Sequence, residues 1–311
     1  MKLIFFGTPE FAACSLRALI DEHEVLSVVT QPDRPSGRGG KITFSAVKET
    51  AISAGIPVMQ PEKIKTKIFF NELKSYGADI FVVAAYGRIL PERVLNIPQH
   101  GSVNVHASLL PKLRGAAPIQ RAIMNGEKKT GVTIMQMDEG IDTGDIILQK
   151  EIEIHETETG GGLHDKLAPL GASALLEALF FIEKGEAKRM KQDDELASYA
   201  PMIGKETGHI NWNGATRDII NQIRGLNPFP AAYAYDKMNP GSGPLKIFAA
   251  EPIINVVGSP GEIRVSPAGE IIMKTGDGAV VIKEIQKTGG RRMDSAAFQR
   301  GRRLSDGDMF I

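Results

Sequence analysis

The stretch that decides the fold is Leu3-Ile4-Phe5-Phe6-Gly7-Thr8-Pro9, an apolar run that ends in a turn. A short apolar run bounded by turn residues is typical of a strand buried on both faces of a parallel sheet. Pro9 suits the first turn of a helix, because a backbone N–H at that position has no intrahelical partner. The stretch therefore predicts a strand that leads directly into a helix.

The same alternation of strand and helix patterns continues along the first half of the chain. We predict strands at residues 3–6, 25–30, 57–58, 80–85, 101–105, 132–137 and 145–154, and helices at residues 9–20, 43–54, 68–76, 118–125 and 163–184. Such alternation favours an α/β fold, with a Rossmann-like, mainly parallel sheet over residues 1–190. A nicotinamide site is not predicted, because the first turn lacks the Gly-x-Gly-x-x-Gly pattern.

The pattern changes at residues 191–205, a polar stretch that we interpret as a linker. Beyond it lie a predicted helix at residues 215–226, short strands at residues 232–235, 245–250, 261–265, 270–274 and 279–286, and a tail helix at residues 295–303. Turn signals separate the strands, as in a meander. We therefore expect a small OB-like antiparallel β-barrel domain over residues 206–311.

Composition excludes several classes of protein and limits the partners. The 37 basic residues balance the 37 acidic ones, so a surface that binds nucleic acid must be local. With a single cysteine, Cys14, the chain can form neither an internal disulfide nor a thiolate metal cluster. No apolar stretch approaches the ~20 residues of a membrane span, and the first apolar run is too short for a signal peptide. We expect a cytoplasmic protein that does not bind membranes.

Two polar side chains mark the end of the strand predicted at residues 101–105. They are Asn104 and His106, in the run Asn104-Val105-His106-Ala107-Ser108-Leu109-Leu110-Pro111. Both point the same way in an extended backbone, and active sites of open parallel sheets lie at the carboxyl ends of strands. An amide and an imidazole can stabilise an oxyanion that develops on a carbonyl. In the structural alternative, Asn104 satisfies turn backbone and His106 is an ordinary surface or core histidine.

A second polar loop, Asp138-Glu139-Gly140-Ile141-Asp142-Thr143-Gly144-Asp145, is rich in carboxylates. The spacing of an EF-hand calcium loop is absent. The loop is either a solvated turn shaped by its glycines or the support that presents Asp142 to His106. No nucleophile motif accompanies these residues, which favours group transfer by direct attack over a covalent enzyme intermediate.

These motifs resemble the folate-dependent formyltransferase family. The resemblance lies in Asn104-x-His106-x-Ser108-Leu109-Leu110-Pro111-x-x-Arg114-Gly115-x-x-Pro118, in Asp138-x-Gly140-x-Asp142-Thr143-Gly144, and in the opening Phe6-Gly7-Thr8-Pro9-x-Phe11-Ala12. It implies that Asn104, His106 and Asp142 are catalytic, that 10-formyltetrahydrofolate is the co-substrate, and that no metal is required. The expected folate contacts are Tyr86, Ile89, Leu90, Ser108, Leu109, Leu110, Pro111, Asp138 and Gly140.

The resemblance extends to the loop Gln31-Pro32-Asp33-Arg34-Pro35-Ser36-Gly37-Arg38-Gly39-Gly40 and to the C-terminal part of the chain. These parts imply that the acceptor is the amino group of methionine on initiator tRNA. We expect the protein to be a monomer. Arg38 and Lys41 would contact the acceptor end, and Arg291 and Arg292 would belong to a backbone-binding surface. The alternatives are a family member that formylates a nucleotide or amino sugar, and a non-catalytic RNA-binding protein.

Overall fold

The computed structural model describes residues 1–36, 41–301 and 304–311, which form two compact units. The first unit comprises Met1–Pro118, Lys129–Glu153 and His164–Pro201, and the second comprises Ile119–Lys128, Ile154–Leu163 and Met202–Ile311. Residues 191–201 of the predicted linker thus belong to the first unit, and residues 202–205 belong to the second.

The first unit is built around a mixed sheet. Up to residue 183 the elements are β1 (Lys2–Gly7), α1 (Glu10–Glu22), β2 (Glu24–Val29), β3 (Arg34–Ser36), β4 (Lys41–Thr43), α2 (Ala46–Ser53), β5 (Val58–Met59), α3 (Lys67–Ser75), β6 (Ile80–Ala84), α4 (Glu92–Leu95), β7 (Ser102–His106), α5 (Pro118–Met124), β8 (Lys129–Gln136), β9 (Ile146–Glu153) and α6 (Gly160–Glu183). The sheet order is β5-β2-β1-β6-β7-β8-β9, in which β8 runs antiparallel to its neighbours β7 and β9 while all the other strands run parallel to one another. The predicted Rossmann-like, mainly parallel sheet is confirmed.

Burial explains why these strands form the centre of the sheet. Every residue of β6 is buried, and β1 is buried from Leu3 onwards. Such continuous apolar runs require cover on both faces, which the helices between parallel strands supply. On one face the ring of Phe6 lies 5.3 Å from that of Phe81 and 5.6 Å from that of Tyr86, measured between centroids. Among the described residues, no helix is long and apolar enough to cross a membrane.

The second unit contains an antiparallel sheet with helices packed against it. Its elements are α7 (Thr216–Gly225), β10 (Ala232–Ala234), β11 (Leu245–Ile253), β12 (Ile263–Val265), β13 (Ile271–Lys274), β14 (Ala279–Lys287), β15 (Met293–Asp294) and α8 (Ser295–Gly301). The strand order is β10-β11-β14-β13-β12, with β15 paired to β14. Ile219 and Ile223 of α7 pack into the same apolar core as Trp212, Ile247 and Ile282.

Residues 308–311 close this sheet by pairing with both of its edges. On one side Tyr235, which follows β10, exchanges backbone hydrogen bonds of 2.7 and 2.9 Å with Ile311. On the other side the Phe310 N–H donates to the Gly261 carbonyl at 2.8 Å, and the Ile263 N–H donates to the Asp308 carbonyl at 2.8 Å. Closure removes edges that would otherwise expose unpaired backbone groups.

Two features of the fold were not anticipated from the sequence. The stretch predicted as a loop between residues 33 and 41 begins and ends in the short antiparallel pair β3 and β4. The closing residues 308–311 were not predicted as a strand, because a few residues of mixed polarity carry no periodic signal. Both features depend on pairing with distant or irregular segments, which local patterns do not reveal.

The buried side of β1 offers a direct test of the core. Ile4 is 0% exposed, whereas Ile68 on α3 is 81% exposed. We expect Ile4→Ala to lower the free energy of unfolding by about 2–5 kcal/mol, because it leaves a cavity. Ile68→Ala is the matched control and should change it by less than about 0.5 kcal/mol. Urea denaturation measures both, and equal losses would contradict the assigned burial.

Candidate active site

The end of strand β7 carries two of the predicted catalytic residues. Asn104 and His106 occupy alternate positions of the strand, so their side chains leave the same face of the sheet. Asn104 is partly exposed, while His106 is 5% exposed. Their neighbours across the sheet are Met135 and Thr133 of β8.

The acidic loop reaches these residues by folding back over the sheet. Because β8 runs antiparallel to β7, with Val103 opposite Gln136, the loop 137–145 leaves the sheet beside the start of β7. Within it Asp142 has φ 54°, in the left-handed region, which turns the chain sharply. Gly144 has no room for a side chain, since a Cβ there would lie 1.8 Å from the Gln136 carbonyl oxygen. This tight turn of the chain brings the Asp142 side chain next to Asn104 and His106.

The Asp142 carboxylate contacts three groups, one in the loop after β7 and two on β7 itself. Its Oδ2 accepts a hydrogen bond of 2.8 Å from the Gly115 N–H and lies 3.6 Å from Nδ1 of His106. Its Oδ1 lies 3.4 Å from Nδ2 of Asn104. The side chain is only 17% exposed. The structure therefore brings the three predicted catalytic residues into one cluster.

Both ring nitrogens of His106 face acceptors within the protein. Nε2 lies 3.0 Å from the Leu113 carbonyl oxygen, so it must carry the hydrogen of that bond. Nδ1 then faces the carboxylate of Asp142. In this arrangement, an N–H directed at a substrate oxygen comes from Asn104. A hydrogen bond from His106 to that oxygen requires the ring to leave Leu113 or Asp142.

The loop after β7 is held by two side chains of the neighbouring strands. The Thr133 hydroxyl donates to the Ser108 carbonyl at 2.7 Å and accepts from the Leu110 N–H at 3.1 Å. Nε2 of Gln149 donates to the Leu110 carbonyl at 2.8 Å. The Ser108 hydroxyl is buried and donates to the Lys112 carbonyl at 2.6 Å, and Leu110 is buried against Met135 and Ile146. Leu109 and Pro111 are the partly exposed predicted folate contacts of this loop.

The segment after β6 forms a second wall of the site. Tyr86 and Leu90 are buried in an apolar cluster that Met137, at the start of the acidic loop, also contacts. Ile89 is 67% exposed. Burial raises the pKa of the Tyr86 phenol, which is therefore neutral, and the Tyr86 hydroxyl has no partner among the described residues. This segment can offer its backbone and the Ile89 side chain to a ligand. The side chains of Tyr86 and Leu90 pack in the core and hold the segment in place.

The acidic loop is shaped by one of its own carboxylates. The Asp138 carboxylate accepts hydrogen bonds from the Gly140 N–H at 3.1 Å and from the Thr143 hydroxyl at 2.7 Å, so it shapes its own loop. Gly140 itself is exposed, as is the apolar side chain of Ile141. Exposed backbone beside apolar side chains fits a flat heteroaromatic ring such as a pterin. In the described parts of the chain, no cluster of three His, Cys, Asp or Glu side chains could hold a metal ion.

A cavity of about 660 Å³ lies at the carboxyl ends of β1, β2 and β6. Its lining includes Thr8, Gln31, Phe44 and the backbone turn at Tyr86 and Gly87. Val83 of β6 pairs with Asn104, so the cavity lies one strand away from the cluster of Asn104, His106 and Asp142. Its position at the edge of a parallel sheet is where α/β enzymes bind their ligands.

Comparisons with known proteins agree along the whole chain. Residues 1–179 match the formyl transferase family, and residues 202–303 match the formyl transferase C-terminal domain family. A methionyl-tRNA formyltransferase from Caldanaerobacter subterraneus subsp. tengcongensis is 48% identical over 311 residues, covering 99% of both chains. Another from Acetivibrio thermocellus is 47% identical over 312 residues, again 99% of both. The chain belongs to the methionyl-tRNA formyltransferase family.

Solved structures share the fold of this family member at lower identity. HypX from Aquifex aeolicus in complex with tetrahydrofolic acid has a TM-score of 0.65 and 20% identity, covering 98% of this chain and 48% of that one. An N-formyltransferase from Helicobacter canadensis, in complex with folinic acid and dTDP-3-aminofucose, has a TM-score of 0.65 and 23% identity. That match covers 92% of this chain and 99% of the other. At such identities the likeness concerns the fold alone.

The predicted tRNA contacts of this formyltransferase family member differ in their surroundings. Arg38 lies outside the described residues, and Lys41 begins strand β4. Arg291 is exposed and has no side-chain partner in the described parts of the chain. The Arg292 guanidinium pairs with Glu284 and lies 4.3 Å from the ring centroid of Phe248. Arg291 is therefore open to a phosphate, whereas Arg292 is already engaged within its own unit.

Sequence reasoning missed several residues that hold the site together. Arg114 is part of the family motif, but the motif alone predicts no role for it. Gln192 lies in the stretch that the sequence predicts to be a linker. Arg114 is 3% exposed and Gln192 is 6% exposed. Their signal was weak, because a lone glutamine in a polar stretch carries no periodicity. The family motif is the one signal that could have pointed to Arg114, because it contains this residue. A buried guanidinium needs a charged or hydrogen-bonding partner within the protein.

Two threonines on β8 test how the folate-side loop of this family member is held. Thr133→Val removes the hydroxyl that pairs with Ser108 and Leu110. We expect it to cost about 1–3 kcal/mol of stability, because the Leu110 N–H stays buried without a partner, and to raise the folate KM. Thr130→Val is the matched control, since the buried Thr130 hydroxyl has no partner among the described residues. Denaturation and folate titration check both, and equal effects would contradict the assigned role.

Proposed function

We propose that this protein transfers the formyl group of 10-formyltetrahydrofolate to the α-amino group of methionine on initiator methionyl-tRNA. The observation that carries the proposal is the match to proteins of that name, at 48% identity over 99% of both chains. The cluster of Asn104, His106 and Asp142 supports it, because an amide donor beside an imidazole–carboxylate pair suits acyl transfer to an amine. The folate supplies an activated formyl group.

Asn104 stabilises the charge that develops on the formyl oxygen. One hydrogen of its amide faces Asp142, which leaves the other for a substrate oxygen. Because Asn104 is fixed on a strand and tied to Asp142, its donor needs little reorganisation during the reaction. Removal of such a donor typically slows turnover by ~10²–10³.

Asp142 and His106 handle the proton that the reaction moves. A new bond joins the methionine nitrogen to the formyl carbon, and the bond from that carbon to the folate nitrogen breaks. The amine therefore loses a proton and the departing nitrogen gains one. The Asp142 carboxylate, partly exposed and paired with His106, accepts the first proton and returns it, with His106 balancing its charge. The Gly115 N–H keeps the carboxylate in place during the transfer.

The remaining predicted residues serve the two substrates. The Tyr86–Leu90 segment, the loop around Asp138 and Gly140, and the loop 108–111 hold the folate. The loop that contains Arg38 and Lys41 contacts the acceptor end of the tRNA. Its preceding segment is anchored by Asp33, whose pKa is lowered by the hydrogen bonds from Lys48 and Gln60. We place the catalytic domain at residues 1–190, a linker at residues 191–205 and a tRNA-binding domain at residues 206–311.

The proposal includes the oligomeric state and the cellular location of the protein. It acts as a monomer in the cytoplasm, where charged initiator tRNA is used. The translation-related names of its relatives support the cytoplasmic location. Sedimentation at micromolar concentration tests the monomer, and a stable dimer would overturn that part of the proposal.

One assay tests the reaction and its residues together. With 10-formyltetrahydrofolate, we expect formyl transfer to charged initiator tRNA and not to free methionine or a nucleotide amino sugar. Asn104→Ala, His106→Ala and Asp142→Ala should each lower kcat by about 100-fold or more in folded protein. A nucleotide sugar as the better acceptor would overturn the proposed substrate. Near-normal turnover in a folded variant would remove that residue from the mechanism.

Arg291 tests the tRNA surface of the second unit. We expect Arg291→Ala to raise the tRNA KM and to flatten its logarithmic salt dependence by about 1, because one phosphate contact is lost. Preference among tRNAs should change little, since backbone contacts carry no sequence information. Arg17→Ala on α1 removes the same charge from an exposed position of the first unit and serves as the control. An unchanged salt slope in Arg291→Ala would contradict the proposal, as would an equal change in the control.

A further inference from the structure

Residues 190–200, which we call the bracing segment, contact both loops of the catalytic cluster. At one end Met190 exchanges backbone hydrogen bonds of 2.8 and 2.9 Å with Ile146, just after the acidic loop. At the other end the Arg114 N–H donates to the Ser198 carbonyl at 2.8 Å, and the Ala200 N–H donates to the Arg114 carbonyl at 2.7 Å. The bracing segment therefore joins the loop after β7 to the loop after β8.

Gln192 is the side chain of this segment that reaches the catalytic loop. Its Nε2 donates to the Asp142 carbonyl at 2.8 Å and to the Gly144 carbonyl at 2.7 Å. Both amide hydrogens are thus used on one turn of the chain, the turn in which Asp142 has its left-handed φ. Two donors on that turn oppose its relaxation to a more common backbone conformation.

Arg114 fixes the orientation of Gln192. Nε and Nη2 of Arg114 donate to the single Oε1 of Gln192 at 3.1 and 2.9 Å. Nη2 also lies 2.8 Å from Oδ1 of Asp194, whose side chain is 78% exposed. Because the guanidinium cannot accept, the amide must present its oxygen to Arg114 and its nitrogen to the loop. The residue after Arg114 is Gly115, whose N–H holds the Asp142 carboxylate.

We propose that Gln192 is a positioning residue for formyl transfer, which sets the backbone turn at Asp142 and thereby the placement of the Asp142 carboxylate against His106 and Asn104. Arg114 acts at both ends of this arrangement, through Gln192 and through the adjacent Gly115. A small displacement of a catalytic carboxylate slows the chemical step far more than it weakens substrate binding. The inference rests on the proposed function and deepens it.

Gln192→Glu tests the role with little change in shape. The new carboxylate still accepts from Arg114, so the buried guanidinium stays paired, but it offers no donors to the carbonyls of Asp142 and Gly144. We expect kcat to fall about 10- to 100-fold, with the KM values for folate and tRNA within about threefold of wild type. Asp194→Asn is the control, because it changes the exposed partner of Arg114 and leaves the loop contacts alone. It should retain wild-type kcat.

A spectroscopic measurement separates positioning from general loss of structure. In protein labelled with ¹⁵N-histidine, the His106 ring signals report the proton on Nδ1 opposite Asp142, and His106→Gln identifies them. They should shift in Gln192→Glu and stay in place in Asp194→Asn, while circular dichroism shows that both variants are folded at the assay temperature. Gln192→Asn, whose shorter amide cannot reach Arg114 and both carbonyls, should repeat the loss of kcat.

The outcomes distinguish this inference from the function on which it rests. A wild-type protein that fails to formylate charged tRNA overturns the proposed function. An active wild type with unchanged kcat in folded Gln192→Glu or Gln192→Asn overturns the positioning role alone. Loss of folding in both variants assigns Gln192 to stability and also overturns the positioning role. A parallel drop of kcat in Asp194→Asn has the same consequence.

Discussion

The proposed catalytic cluster depends on how the half-buried carboxylate of Asp142 is satisfied. A carboxylate that is 17% exposed needs hydrogen bonds, and its partners come from separate parts of the chain. Gly115 belongs to the loop after β7, and Asn104 and His106 belong to the strand itself. The same contact that satisfies a charge therefore fixes two loops relative to each other, and the residues that we propose as catalytic are those that make the contact.

This dependence explains why the surrounding structure is polar and well connected. The loop before Gly115 is tied down by Thr133 and Gln149, and the loop that carries Asp142 is tied down by Gln192. Each of these side chains binds backbone carbonyls or N–H groups rather than substrate. A site of this kind gains its precision from neutral hydrogen bonds, which leave the charge balance between His106 and Asp142 undisturbed.

The fold class and the clustered residues could be predicted from the sequence. The residues that hold the cluster in place could not. Continuous apolar strands such as β6 indicate a parallel sheet. Asn104 and His106 are two residues apart on β7, which places their side chains on one face of the sheet. The proximity of Asp142 could not be derived from spacing, because its loop starts beside the opposite end of β7 and folds back. Gln192 lies in a polar stretch without periodicity, where only the folded contacts reveal a function. The domain boundaries stay a prediction.

The closure of the second sheet by residues 308–311 has a consequence for how this protein is made. Tyr235, which follows β10, is synthesised about 76 residues before its partner Ile311. During translation the β10 and β12 edges stay open until residues 308–311 have left the ribosome. Until then each unpaired edge is a template for pairing with other chains, so a chain that stops before residue 308 exposes both edges.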